Sequence, residues 1–128
     1  MRPAWLEKKR IEPEYLEKKV QELKANTMRI VTLNGSFDLL HAGHLYIIHQ
    51  ASSLADVLIV ALTSDTSIQH YKSVKRPIVP LAYRLEMMAA IEFVHYVTWF
   101  EERDPCRILS VIQPDVHVTG AEYGADCI

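Results

Sequence analysis

One stretch constrains the chain more than any other: Met28 to His44, MRIVTLNGSFDLLHAGH. Met28, Ile30, Val31 and Leu33 form a short apolar run that Asn34-Gly35 stops. From Gly43 and His44 onward, Leu45, Ile47, Ile48, Ala51 and Leu54 fall on one side of a helix. The spacing predicts strand, loop, helix. In an open parallel sheet the loop after such a strand lies at the carboxyl edge, where ligands bind. The following helix directs its N-terminal N–H groups and positive dipole end at the same place. An anion is the expected guest.

His41 and His44 stand three residues apart at the helix entry, so both side chains can face that anion. Imidazoles donate hydrogen bonds to phosphoryl oxygens, and the pair suits a centre where negative charge grows during reaction. Gly43 between them has no Cβ, which lets a base or phosphate approach the backbone. No third His, Cys or carboxylate stands at a ligand spacing nearby, so a metal site is not expected. Asp38 and Phe37 carry two readings: ligand contacts, or a loop cap and a core side chain.

A second strand, Val57 to Leu62, ends in Thr63-Ser64-Asp65, a loop on the same side as the first. The segment that follows, Thr66 to Leu85, contains Lys72, Lys75, Arg76 and Arg84 and no acid, the clearest charge asymmetry in the chain. Beside a suspected anion site, the whole segment reads as phosphate-binding. Pro77 and Pro80 stiffen the connection, after which Leu81 to Phe93 has helical periodicity. Arg84, near that helix start, opposes the macrodipole and asks for a compensating anion, for which a triphosphate is one source. Val94 to Phe100 reads as a third strand, Asp104-Pro105 caps a helix through Ile112, and Val116 to Thr119 is a fourth strand ending at Gly120.

Strands alternating with helices give an α/β chain with a doubly wound, Rossmann-like open parallel sheet and helices on both faces. Residues 27–128 form that domain. Residues 1–26 form an N-terminal helical extension in which Pro13 opens a helix reaching Lys24 with a narrow stripe of Leu16, Val20 and Leu23. The stripe needs a partner surface, either the main domain or a second subunit in a homodimer.

The 128 residues and formal charge of −2 fit one core-forming unit and imply no nucleic-acid partner. No apolar run is long enough for a membrane span. Cys106 and Cys127 have no C-x-x-C relation and no secretory signal precedes them, so free thiols in the cytoplasm are expected.

The pattern N-G-x-F-D-x-x-H-x-G-H, carried by Gly35, Phe37, Asp38, His41, Gly43 and His44, resembles the signature of the HxGH nucleotidyltransferases. With R-P-I-V-P-L-A-Y-R from Arg76, F-E-E-R-D-P from Phe100 and P-D-V-H-V-T-G-A-E-Y from Pro114, the chain resembles most closely the heptose-1-phosphate adenylyltransferase domains of ADP-heptose synthases. That resemblance implies nucleotidyl transfer from a nucleoside triphosphate, with ATP expected, to a sugar phosphate, with Mg²⁺ carried on the substrate phosphates. It makes His41, His44 and Lys72 catalytic. Asn34, Gly35, Phe37, Asp38, Gly43, Arg84, Gly120, Glu122 and Tyr123 become nucleotide-site residues, with Lys72 and Arg84 on phosphates.

The chain departs from the family pattern with Leu33 for a usual Thr, Thr119 for a usual Lys and Glu122 for a usual Asp. Relatives continue to a Ser-Thr-Thr segment that helps hold the triphosphate, and this sequence stops at Ile128. Two other readings therefore stand beside the first: an enzyme like glycerol-3-phosphate cytidylyltransferase, or a nucleotide-binding module without turnover.

Overall fold

The computed structural model describes residues 2–71 and 75–119. In chain order the elements are α1 (Ala4–Lys9), α2 (Pro13–Ala25), β1 (Ile30–Gly35), α3 (Ala42–Ser52), β2 (Val57–Thr63), α4 (Asp65–Tyr71), α5 (Leu81–Ala89), β3 (Tyr96–Phe100), α6 (Cys106–Ile112) and β4 (Val116–Val118). The strands form one parallel sheet in the order β3-β2-β1-β4. β1 and β2 are buried along their whole length, because helices cover both faces; this is why β2 reads as a nearly continuous apolar run and β1 carries apolar residues on both of its faces.

Residue parity along the strands sorts the core into two layers. Val31, Leu33, Leu58, Val60, Leu62 and Val97 face Leu6 of α1, Ile48 and Ala51 of α3, and Leu85, Met88 and Ala89 of α5. Ile30, Val57, Ile59, Ala61 and Phe100 face Leu16, Val20 and Leu23 of α2 and Ile108, Leu109 and Ile112 of α6. The sheet order changes direction between β1 and β4. α3 and α6, which lead out of β1 and into β4, lie on opposite faces, so the carboxyl ends of these two strands flank a crevice, the usual ligand position in open α/β sheets.

The stripe of α2 docks on the sheet of its own chain, the first of its two alternatives. Several other expectations need correction. A second helix, α1, precedes α2. The chain between them bridges to the free side of β3, with Arg10 paired to Val97 and the Ile11 N–H donating to the Val97 carbonyl at 2.9 Å. On α3 only Ile48 and Ala51 are buried; Leu45 and Ile47 are exposed, as is Leu54 just beyond its end, because a helix lying flat on a sheet buries a narrower face than its apolar content suggests. The stretch after β2 is helical from Asp65, with the Ser64 hydroxyl accepting the Ser67 N–H at 3.2 Å as an N-cap. α5 ends at Ala89, four residues before Phe93, in a turn closed by the Ile91 N–H on the Met88 carbonyl. The third strand begins at Tyr96, and α6 closes on Gln113 in the left-handed region (φ 48°) just before Pro114.

Candidate functional site

The loop after β1 delivers His41 and His44 to the start of α3. The two rings stack at 3.8 Å between centroids, and Phe37 meets His44 edge-on at 5.2 Å. His41 is the N-cap: its Nδ1 accepts the Gly43 N–H at 3.1 Å, while its own N–H donates to His44 Nδ1 at 3.2 Å. This is a capping box built from imidazoles rather than from Ser/Thr and Glu/Gln. A ring nitrogen that accepts an amide hydrogen carries none of its own, so both neutral rings hold their hydrogen on Nε2, as donors. The anion-binding role expected of the helix N-terminus thus passes in part to imidazole: the Gly43 N–H is engaged by His41.

The glycines serve the same arrangement. A Cβ on Gly43 would lie 2.9 Å from His41 Cε1, and one on Gly35 would lie 3.0 Å from Phe37 Cε2. The space beside each is filled by a ring of this chain, which corrects the expectation that Gly43 leaves room for a base or phosphate. Phe37 itself holds a positive φ of 46°, and turns its ring over Gly35 toward His44.

Behind the histidines lies a charged lattice. Asp38 is buried and accepts the N–H groups of Ile78 at 2.9 Å and Val79 at 2.7 Å, and it pairs with Arg76 at 2.8 Å. Burial alone would raise its carboxyl, but those N–H groups, with the Arg76 and Arg84 charges, hold it below the ordinary aspartate value. Arg84 is only 1% exposed. Its Nε donates to the Val79 carbonyl at 2.8 Å, Nη1 to the Ser36 and Thr63 carbonyls at 2.9 and 2.7 Å, and Nη2 to Asp65 at 2.7 Å. Nε, Nη1 and Nη2 of Arg84 are thus each engaged by a group of this chain, and the anion beside it at this helix start is Asp65. The basic segment follows the same rule: Arg76 answers Asp38 on the loop after β1, and Arg84 answers Asp65 just ahead of the segment.

Asn34 lies on the opposite face of the sheet from the paired histidines. It shares a cross-strand row with Ala61 and Thr98, on the α2 and α6 side. Its amide and the Thr98 hydroxyl are buried and have no hydrogen-bond partner among the described residues. In the neighbouring row, Thr32 Oγ1 meets His117 Nδ1 at 2.7 Å. Lys72, Gly120, Glu122, Tyr123 and Cys127 lie outside the described residues. Four residues of the lattice escaped the sequence reading: Ser36, Thr63, Asp65 and Arg76 as a brace. The Ser64-Asp65 pair, an N-cap with an acid in the first turn, was the signal available for one of them.

Residues 32–127 match the family model described as cytidylyltransferase-like. The chain is similar to the "Bifunctional protein HldE" of Hahella chejuensis, 40% identical over 113 residues that make up 88% of this chain and 24% of that protein. It is also similar to that of Helicobacter pylori strain G27, 44% identical over 108 residues, 84% of this chain and 23% of that protein. The chain thus spans about a quarter of the length of these curated relatives. Among solved structures, a lipopolysaccharide core biosynthesis protein from Thermoplasma volcanium superposes with a TM-score of 0.67 at 26% identity, covering 75% of this chain and 77% of that one.

Proposed function

Because the chain belongs to the cytidylyltransferase-like family, a family of nucleotidyltransferases, we propose that it transfers AMP from ATP to a sugar phosphate such as D-glycero-D-manno-heptose 1-phosphate and releases pyrophosphate. The observation that carries this reading is the stacked His41–His44 pair at the carboxyl end of β1, each ring accepting a backbone amide hydrogen at Nδ1, which puts its own hydrogen on Nε2. Heptose phosphate as acceptor is supported by the sequence motifs shared with heptose-1-phosphate adenylyltransferases.

An oxygen of the sugar phosphate attacks the α-phosphorus, a new P–O bond forms, and the bond to the β-phosphate oxygen breaks. The electron pair leaves with pyrophosphate. A phosphate monoester has a second pKa of about 6, so near neutrality the acceptor is already ionised and needs no strong base. What the protein supplies is position and hydrogen-bond donors for the charge that builds on the phosphoryl oxygens, and that is what paired imidazoles give. Mg²⁺ enters on the triphosphate. The nearby carboxylates of Asp38 and Asp65 are engaged by arginines and backbone N–H groups, so triphosphate oxygens and water are its ligands in this reading. Lys72 adds a phosphate contact. The homodimer belongs to the same reading, with the exposed Leu45 and Ile47 of α3 and Leu54 just beyond its end as the surface that supports it; sedimentation velocity decides it.

Pyrophosphate release tests the proposal, with ATP or CTP against heptose 1-phosphate or glycerol 3-phosphate. Release with ATP and heptose 1-phosphate is the expected result. Release only with CTP and glycerol 3-phosphate moves the chain to the other substrate class, and nucleotide binding without release in any combination overturns transfer.

A further inference from the structure

The buried guanidinium of Arg84 touches the backbone of both loops that lead out of the central strands. It holds the Ser36 carbonyl just after β1 and the Thr63 carbonyl at the last residue of β2, together with the Val79 carbonyl and the Asp65 carboxylate. Ser36 is the residue immediately before Phe37, and Phe37 sits in the left-handed region with its ring against His44. A contact on the Ser36 carbonyl therefore fixes the peptide plane from which Phe37 turns. The other side of the same turn is tied down by Asp38, whose acceptors hold Ile78 and Val79. Asp65 completes the frame by taking both Arg84 Nη2 and the Leu81 N–H, the latter at 2.9 Å.

We infer that Arg84 is a positioning residue for the histidine pair: through Ser36 and Phe37 it sets the orientation of the His44 ring, while making no contact with phosphate. The inference rests on the nucleotidyltransferase reading only for its effect on rate; its effect on the His44 ring does not. Guanidinium geometry is essential to it. The planar fork spans three carbonyls and a carboxylate at once, and an ammonium on a flexible stem cannot hold all of them.

The experiment uses the 128-residue chain with two substitutions, Arg84→Lys and the milder Asp65→Asn, which removes the charge from a half-exposed partner and keeps an acceptor. Three readouts are taken: side-chain ¹⁵N–¹H NMR of the His41 and His44 imidazoles without ligand, kcat and KM for pyrophosphate release, and the salt dependence of binding of inorganic triphosphate. Arg84→Lys is expected to displace the His44 ring resonances and lower kcat tenfold or more, with KM changed less than threefold and the salt slope unaltered. Asp65→Asn is expected to do the same at a few-fold level, and it carries the test if Arg84→Lys does not fold. Unmoved imidazole resonances in a folded variant overturn the inference. So does a tenfold rise in KM with a reduced salt slope, which is the signature of a phosphate ligand. If the parent chain shows no turnover at all, the proposed function falls while the NMR comparison still decides the role of Arg84.

Discussion

A histidine at a helix N-cap ordinarily raises the question whether it caps or catalyses; His41 does the first with Nδ1 and presents Nε2 for the second. The two duties separate by substitution. His41→Asn keeps a good capping acceptor near the Nδ1 position and removes the Nε2 donor, so stability is expected to stay within about 0.5 kcal/mol while the rate falls on the order of 10²-fold. Chemical denaturation and pyrophosphate release measured on the same preparation check this; equal loss in both would make the residue a cap alone. Gly43→Ala gives the reverse control. Alanine is favoured over glycine in a helix by about 1 kcal/mol, yet its Cβ meets the His41 ring, so turnover is expected to drop without loss of stability. A Gly43→Ala protein with full turnover would show that the ring has somewhere else to go. At this scale the motif was legible in the sequence and its internal wiring was not. Spacing shows that His41 and His44 share a helix face, but not that His44 takes the amide hydrogen of His41 and His41 that of Gly43, nor that Gly35 and Gly43 exist to make room for Phe37 and His41.

Among the elements, α2 shows pattern outweighing composition. Its surface alternates lysine and glutamate, yet the stripe of Leu16, Val20 and Leu23 is buried against the rest of the chain. Leu16→Ala is expected to cost about 3 kcal/mol in urea unfolding, the usual range for a leucine truncated in a packed core; a loss under about 0.5 kcal/mol would return the helix to the status of an appendage. The strands and the helices α2, α3, α5 and α6 could be read from periodicity and from proline and glycine positions. α1 and α4 could not. Both are short, six and seven residues, and are held by tertiary contacts such as the buried Leu6 and Ile68 rather than by their own propensity. The brace around Arg84 was hidden for a related reason: charge in a sequence points to solvent or ligand, and only the folded chain shows Asp65 and three carbonyls beside it.

For the whole molecule, the charged and titrating groups set how the fold answers acid. Burial lowers the affinity of His95 for a proton, with Lys9 adding to the effect, and burial does the same to His117 against the opposing contact with Thr32. A histidine with a depressed folded pKa favours the native state fully above its unfolded value of about 6.5 and progressively less as pH falls below it. Asp38, also depressed, gives stability that is complete above about 3.9 and is lost as pH falls further. Acid unfolding is therefore expected in two stages, a shallow decline beginning near pH 6.5 and a steeper one below about 4, followed by circular dichroism. Asp38→Asn should remove the share of the second stage that belongs to this carboxylate and cost about 2 kcal/mol at neutral pH, since Arg76 and two backbone N–H groups lose an ionised acceptor. An unchanged acid limb in that variant would assign the transition to other carboxylates.

The bridge from Arg10 to Val97 acts on the chain before it is a finished protein. A ribosome releases the segment around Ile11 well ahead of β3, so when Val97 and its neighbours emerge, the piece that will lie along their open side is already outside the tunnel. Strand edges are most dangerous while they wait for a partner, because any neighbouring chain can add to them. Here the waiting is done by the guard, and a nascent β3 meets its own escort before it can meet a stranger.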